Sequence, residues 1–391
     1  MKIFSYSKNN IILLIIIINE IFSNENELIT LNRMSEITLV INGNDNSYIL
    51  RKDYIRLPDE MVVNGSPQYL KEYFAENLGA EENTVILRWN DPVTNCSKMF
   101  ADQANIFEID LRNFDTSKII NMNCMFCGLP YLTSVDLSNM NTTSVEDMSN
   151  MFDGCENLIS LDLSNFDTSK VTSFESMFNA CGSLETLNLN NFVTSKATTM
   201  SNMFYGCFSL LSLNLSSFDT SEVTDFSFMF SICRVLESLN LDNFVTSKEM
   251  IMNNMFFHCE SLSSLDLSSF NTSEVIDFSD TFYGCISLES LNVNNFVTSK
   301  VTNMNNMFFY CISLSSLDLS SFDTSEVTDF RNMFYGCISL ESLNLNNFVT
   351  SKVTTMNGMF MGCQSLLSLN LSSFDTSEVT DFKNMFYGCI S

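Results

Sequence analysis

From Met99 to Met385 the chain repeats one pattern every 26 residues, with no insertion or deletion. The Met-Phe dipeptides at 99, 125, 151, 177 and 203 continue through Met229, Met255, Thr281, Met307, Met333, Met359 and Met385. Eleven equal spacings of this size dictate a stacked repeat architecture, because each unit is one supersecondary element that cannot bury its apolar side chains alone. Residues 99–391 therefore read as eleven units and a partial twelfth, with Ser391 seven residues into it, so the sequence reads as C-terminally truncated. Only 4 Pro and 12 Gly in 391 residues leave little linker chemistry, and a 45% hydrophobic fraction is too high for a disordered chain.

One late unit shows the pattern, with Met333, Phe334, Cys337, Leu340, Leu343, Leu345, Phe348, Val353 and Met356 as its apolar positions. Ser342 to Asn346 alternates polar and apolar, which predicts a strand with Leu343 and Leu345 inward. Val353, Met356, Met359, Phe360 and Cys363 are spaced by three, three, one and three, which predicts a short helix with Thr350 and Ser351 as candidate N-caps. The expected fold class is an α/β solenoid, a leucine-rich-repeat-like horseshoe of strand and short-helix units. Its strand stack is expected to run about 50 Å, with the wider helix side bending it. A 52-residue pair is the unit of duplication in the later part, where Glu222, Lys248, Glu274, Lys300, Glu326, Lys352 and Glu378 alternate in sign. The alternation reads as neighbour pairing on an exposed ladder, worth about 0–1 kcal/mol per pair.

The N-terminal segment has another texture. Lys2 and Lys8 precede an apolar run from Ile11 to Ile18, too short for the roughly 20 apolar residues of a membrane-spanning helix. Residues 1–23 are read as a secretory signal peptide with cleavage after Ser23. Residues 24–98 are read as a small β-rich cap for the first solenoid layer, with strands at 37–41, 61–63 and 85–89, turn signals at Asn42-Gly43 and Asn64-Gly65, and Trp89 in its core.

Ten of the 13 Cys share one column, from Cys155 through Cys181, Cys207, Cys233, Cys259, Cys285, Cys311, Cys337 and Cys363 to Cys389. Beside the Leu ladder they read as small buried hydrophobes, since parallel neighbours point their Cβ atoms alike and suit disulfides poorly. Cys124 and Cys127 form a C-x-x-C with no second pair, so zinc is not expected. His258 is the only His and reads as a drifted surface or stacking residue. No nucleophile elbow, phosphate loop or metalloprotease motif occurs, and the chain is read as a non-enzyme without catalytic residues, cofactor or metal. Asp219, Glu222 and Asp225 lack the Gly-rich loop of repeat Ca²⁺ turns and read as a solvated acidic face. A net charge of −27 would repel a phosphate backbone, which excludes nucleic acid as a partner.

The polar centre of each strand forms a second column, Asp110, Asp136, Asp162, Asn188, Asn214, Asn240, Asp266, Asn292, Asp318, Asn344 and Asn370. It faces outward and is the candidate binding face, although it lacks the aromatic and Arg anchors of tight interfaces. Six sequons, at Asn64, Asn95, Asn141, Asn214, Asn271 and Asn370, are candidate N-glycosylation sites.

Residues 151–174 show the motif well: Met151-Phe152-Asp153-Gly154-Cys155, then Leu161-Asp162-Leu163-Ser164, then Phe166-Asp167-Thr168-Ser169-Lys170-Val171-Thr172. It resembles the BspA-like leucine-rich repeat surface proteins, in the branch described as the mycoplasma-type lipoprotein repeat. The resemblance implies a secreted or cell-surface protein that mediates adhesion, with an extracellular protein or glycan as partner and no catalytic residues to carry over. Unlike lipoprotein members, the chain has no lipid-acceptor Cys near its N-terminus. The alternative expectation is a self-associating structural surface protein that assembles through an uncapped C-terminal repeat.

Overall fold

The structure is a computed structural model that describes residues 35–43, 45–68, 73–246 and 250–390. The signal-peptide reading of residues 1–23 and Lys248 of the alternating column lie outside the described residues. The sheet begins where alternation is strongest. In β1 (Ser35–Asn42), Ile37, Leu39 and Ile41 point inward, and in β6 (Glu82–Trp89) Val85, Leu87 and Trp89 do the same. The two pair antiparallel. β3 (Glu60–Val63) joins the other side of β6 and turns through Asn64-Gly65 into β4 (Ser66–Gln68). Asn64 and Gly65 have φ of 49° and 80°, the left-handed pair that a two-residue hairpin loop requires. β2 (Asp45–Tyr48) and β5 (Phe74–Leu78) form a separate hairpin-like pair. Trp89 is fully buried, donates from Nε1 to the Arg56 carbonyl at 3.3 Å and packs edge-on to Phe114 at 5.4 Å.

The antiparallel sheet hands over to the stack through β7 (Ile106–Asn113), which pairs antiparallel with β1 and parallel with β8 (Ser134–Asp136). The six-stranded order is β4-β3-β6-β1-β7-β8. Every later turn adds a strand of two or three residues in parallel register, 26 residues on from the last. These are β9 (Ser160–Leu161), β10 (Thr186–Leu187), β11 (Ser212–Leu213), β12 (Ser238–Leu239), β13 (Ser264–Asp266), β14 (Ser290–Asn292), β15 (Ser316–Leu317) and β16 (Ser342–Leu343). A second ladder of single parallel bridges runs Asn95, Asn121, Asp147, Ser173, Thr199, Asp225 and Ile251, and again from Asp277 to Asp381.

The predicted short helices are absent: the described residues contain no helix, and the fold is a β-solenoid of stacked 26-residue turns, not an α/β one. Residues 353–363 instead run through successive turns. Their apolar spacing of three returns each side chain to the core, as a helix would, but alternate backbone amides bond to the next turn, and those between them, such as Met359 to Met356, bond three residues back rather than four. Phe334 donates to the Met359 carbonyl and Phe360 to the Met385 carbonyl, both at 2.9 Å. Two left-handed residues per turn forbid the helical path, for example Asn332 (φ 53°) and Gly336 (φ 71°). The wide helix side that was to bend the stack into a horseshoe is therefore missing. Thr350 is no helix cap either. It is buried, and its hydroxyl donates to the Asp375 carbonyl of the next turn at 2.8 Å.

Three columns, buried everywhere but at the last turn, hold the turns together. Phe100, Phe126, Phe152, Phe178, Phe204 and their successors to Phe386 stack face to face at 5.3–6.1 Å. The column cysteines are free thiols, each donating to the Phe carbonyl 29 residues earlier, as Cys233 does to Phe204 at 3.1 Å. Buried threonines clamp consecutive turns: the Thr168 hydroxyl accepts from the Val193 amide at 2.8 Å and donates to the Val193 carbonyl at 3.0 Å. These pairings satisfy backbone groups where the chain passes from one turn to the next, while the Asn179 Oδ1 and the buried Ser231 hydroxyl have no hydrogen-bond partner.

Candidate functional site

The outward column begins one residue after each inward Leu, and the structure gives its side chains a local task. In every one of the eleven, Oδ1 accepts the backbone N–H two residues on, at 2.9–3.2 Å: Asp110, Asp136, Asp162, Asn188, Asn214, Asn240, Asp266, Asn292, Asp318, Asn344 and Asn370. This Asx turn ends the strand and swings the chain into its next side. The second carboxylate oxygen or the amide nitrogen remains directed along the exposed face. Asp110, Asp136 and Asn292 are half-buried and the other eight are exposed.

Lateral contacts join some neighbours. Arg112 reaches Asp110 at 2.7 Å and Asp136 at 3.2 Å, and Asn292 Nδ2 donates to Asp266 Oδ1 at 3.0 Å. Asn214 and Asn370 donate to Asn190 and Asn346. Arg112 holds the Asp110 carboxyl below its ordinary value, and hydrogen bonds from Ser164 and Ser268 do the same for Asp162 and Asp266. All three stay ionised at neutral pH, which suits a binding surface and not proton transfer. Beside the column runs a row of hydroxyls that includes Thr186 and Ser212, and a shallow concavity forms between Asp162, Asn188 and Asn214.

The other singled-out residues scatter. His258 lies half-buried with Nδ1 at 3.2 Å from Glu260 and its ring beside Phe257 and Tyr283. Asp219 and Asp225 cap the turns at Ser221 and Ser227. Among the described residues no group of three or more His, Cys, Asp or Glu side chains is placed to hold a metal ion. No helix among them is long and apolar enough to cross a membrane. Of the sequons, Asn64, Asn141, Asn214, Asn271 and Asn370 are exposed and Asn95 is half-buried. Asn64 is tied on both sides of its amide, to Asn83 and Thr84. Sequence reasoning missed the turn-forming role of the column, although the recurrent Asp/Asn-x-Ser spacing carries it. It also missed the disulfide between Cys124 and Cys127.

These features define a β-solenoid repeat protein with a polar ladder along one face. The sequence family described as "Mycoplasma protein of unknown function, DUF285" matches residues 70–134, 94–212, 131–238, 206–322 and 281–391, and the chain belongs to it. No curated protein matches the chain. Among solved structures, "Functional domain of InlJ from Listeria monocytogenes includes a cysteine ladder" is similar at 15% identity and a TM-score of 0.22, covering 71% of this chain. The chain spans 62% of that chain's length, and so loose a likeness bears on neither partner nor activity.

Proposed function

We propose that this protein is a secreted or cell-surface binding protein of the BspA-like kind, non-catalytic, that contacts an extracellular protein or glycan through its polar strand face. The observation that carries the reading is the row of ionised or amide groups from Asp110 to Asn370. It is presented on a stack whose backbone is fixed by its neighbours, with spare acceptors and donors outward. Small polar groups repeated along a rigid surface suit weak multivalent contact, in which linked sites raise avidity without a dominant anchor.

A solid-phase binding screen against matrix proteins, glycans and cells tests it. Thr186, Ser212 and Ser238 are exposed and take no part in the Asx turns. Replacing all three with Arg is expected to weaken binding severalfold while leaving the thermal midpoint unchanged; undiminished binding would exclude this part of the face. The self-associating alternative predicts concentration-dependent assembly, which light scattering separates from a stable monomer.

A further inference from the structure

Eleven of the 13 cysteines are buried, and only Cys124 and Cys389 are partly open to solvent. Cys124 is bonded to Cys127, across two intervening residues, with Cα atoms 4.7 Å apart. That bond does not make the turn. The backbone of Cys124 is left-handed (φ 56°), and so are its counterparts in neighbouring turns, Lys98, Asn150, Ser176 and Asn202, which have no disulfide. The amide of Cys124 donates to the Ser149 carbonyl, as the amide of Lys98 donates to the Asn123 carbonyl, so the inter-turn ladder runs unbroken through this position. A loop this short also constrains the unfolded chain less than a long one. The disulfide can therefore open and close without dismantling the solenoid.

The surroundings favour exchange at Cys124. Its column neighbour one turn earlier is Lys98, an exposed cation, and the nearby Asp102 is engaged by Arg51. A cation beside a thiol raises its thiolate fraction, and the thiolate is the reacting species. Cys127, by contrast, is 6% exposed. A partly open cysteine, one turn on from a cation at the equivalent position, and a covered partner are the two halves of an exchange pair.

We propose that Cys124 and Cys127 form a reversible thiol–disulfide exchange site for low-molecular-weight thiols, independent of the ligand face. A small thiolate attacks Sγ of Cys124, the Cys124–Cys127 bond breaks and Cys127 leaves as thiolate. A second thiolate attacks the outer sulfur of the mixed disulfide, and Cys124 leaves in turn. The two protons lost by the small thiols end on the protein thiols, so two thiols are oxidised to one disulfide and two electrons pass to the protein. In the reverse direction the Cys124 thiolate attacks a small disulfide and Cys127 resolves the mixed species.

The test is alkylation of the native chain with iodoacetamide before and after reduced glutathione, read by peptide mass spectrometry. New labelling at Cys124 and Cys127 after glutathione, with Cys389 labelled alike in both samples and the buried column from Cys155 to Cys363 reacting only once denatured, is the expected result. No new label after glutathione, or equal labelling of the column, overturns the proposal. Incubated with oxidised glutathione, Cys127→Ser is expected to hold glutathione on Cys124, the Cys124 thiolate displacing one glutathione thiolate with no second cysteine to resolve the mixed disulfide; failure of the folded variant to carry the adduct overturns Cys124 as the exchanging sulfur. Lys98→Gln is expected to slow alkylation of reduced Cys124 several-fold at neutral pH but not in alkali. An unchanged neutral rate overturns the role given to Lys98.

Discussion

Asp162, Asp266 and Asp318 do the work in their turns that Asn188, Asn214 and Asn344 do in theirs, each accepting the amide two residues on. The Asp carboxyls differ in being held below their ordinary value of 3.8, Asp162 and Asp266 chiefly by side-chain hydrogen bonds from Ser164 and Ser268, and Asp318 by the backbone N–H of Ser320. A carboxyl with a depressed folded pKa adds stability above its unfolded pKa and loses it as pH falls through the folded one. The triple variant Asp162→Asn, Asp266→Asn, Asp318→Asn is therefore expected to melt like the wild type at neutral pH. Below the ordinary carboxylate range it should lose stability less steeply, as followed by thermal denaturation across pH; parallel profiles would show that these turns do not titrate with folding. In the core, Phe204 is fully buried between Phe178 and Phe230, 5.8 Å from each. Phe204→Ala is expected to cost about 3–5 kcal/mol. Urea denaturation measures it, and a shift no larger than that of an exposed control would contradict the stacked column. The core residues were legible because burial repeats in the same columns as the apolar letters. The Asx role was legible only in the Asp/Asn-x-Ser spacing, since an outward polar residue reads alike whether it caps a turn or waits for a ligand.

At the scale of the turn, sequence and structure part over residues 353–363. Spacings of three and one put Val353, Met356, Met359, Phe360 and Cys363 on one side of either a helix or a chain of tight turns, and periodicity alone does not separate the two. The left-handed residues decide, and they are hard to read because Asn, Ser, Lys, Phe, His and Tyr all occupy them. Glycine marks some of these places for a specific reason. A Cβ at Gly284 would lie 2.7 Å from Nδ1 of His258, and one at Gly336 would lie 2.2 Å from the Tyr310 ring. Each ring lies over the glycine of the following turn. Gly284→Ala is expected to destabilise through both this overlap and the positive φ of 72°, by about 1–3 kcal/mol. His258→Ala should recover the steric part alone. A double-mutant cycle in chemical denaturation checks the coupling, and strict additivity would show that ring and glycine do not meet.

Over the whole molecule, ring-over-glycine and the ion pairs Glu274–Lys300 and Glu326–Lys352 share a period of two turns. Deleting residues 284–335 would bring Gly336 beneath His258 and keep Glu opposite Lys, and such a chain is expected to fold with near-native stability per turn. Deleting only residues 284–309 would set Tyr310 against His258 and Glu326 against Glu274, and should lower the denaturation midpoint markedly. Equal midpoints for the two deletions would make the two-turn period a trace of duplication without structural consequence. Stability in such a stack is a sum over neighbouring turns, so the loss should stay local to the joint.

The single Trp sits in the antiparallel sheet, sealed between the Arg56 carbonyl and Phe114, and the stacked turns contain none. Indole emission will thus report on the N-terminal sheet alone, while tyrosine absorbance sums that region, through Tyr48, Tyr54 and Tyr73, with the later turns, through Tyr205, Tyr283, Tyr310 and Tyr335. A single native chain carries two optical channels, and a gap between their melting curves would measure directly how far a disturbance at one end travels along the stack.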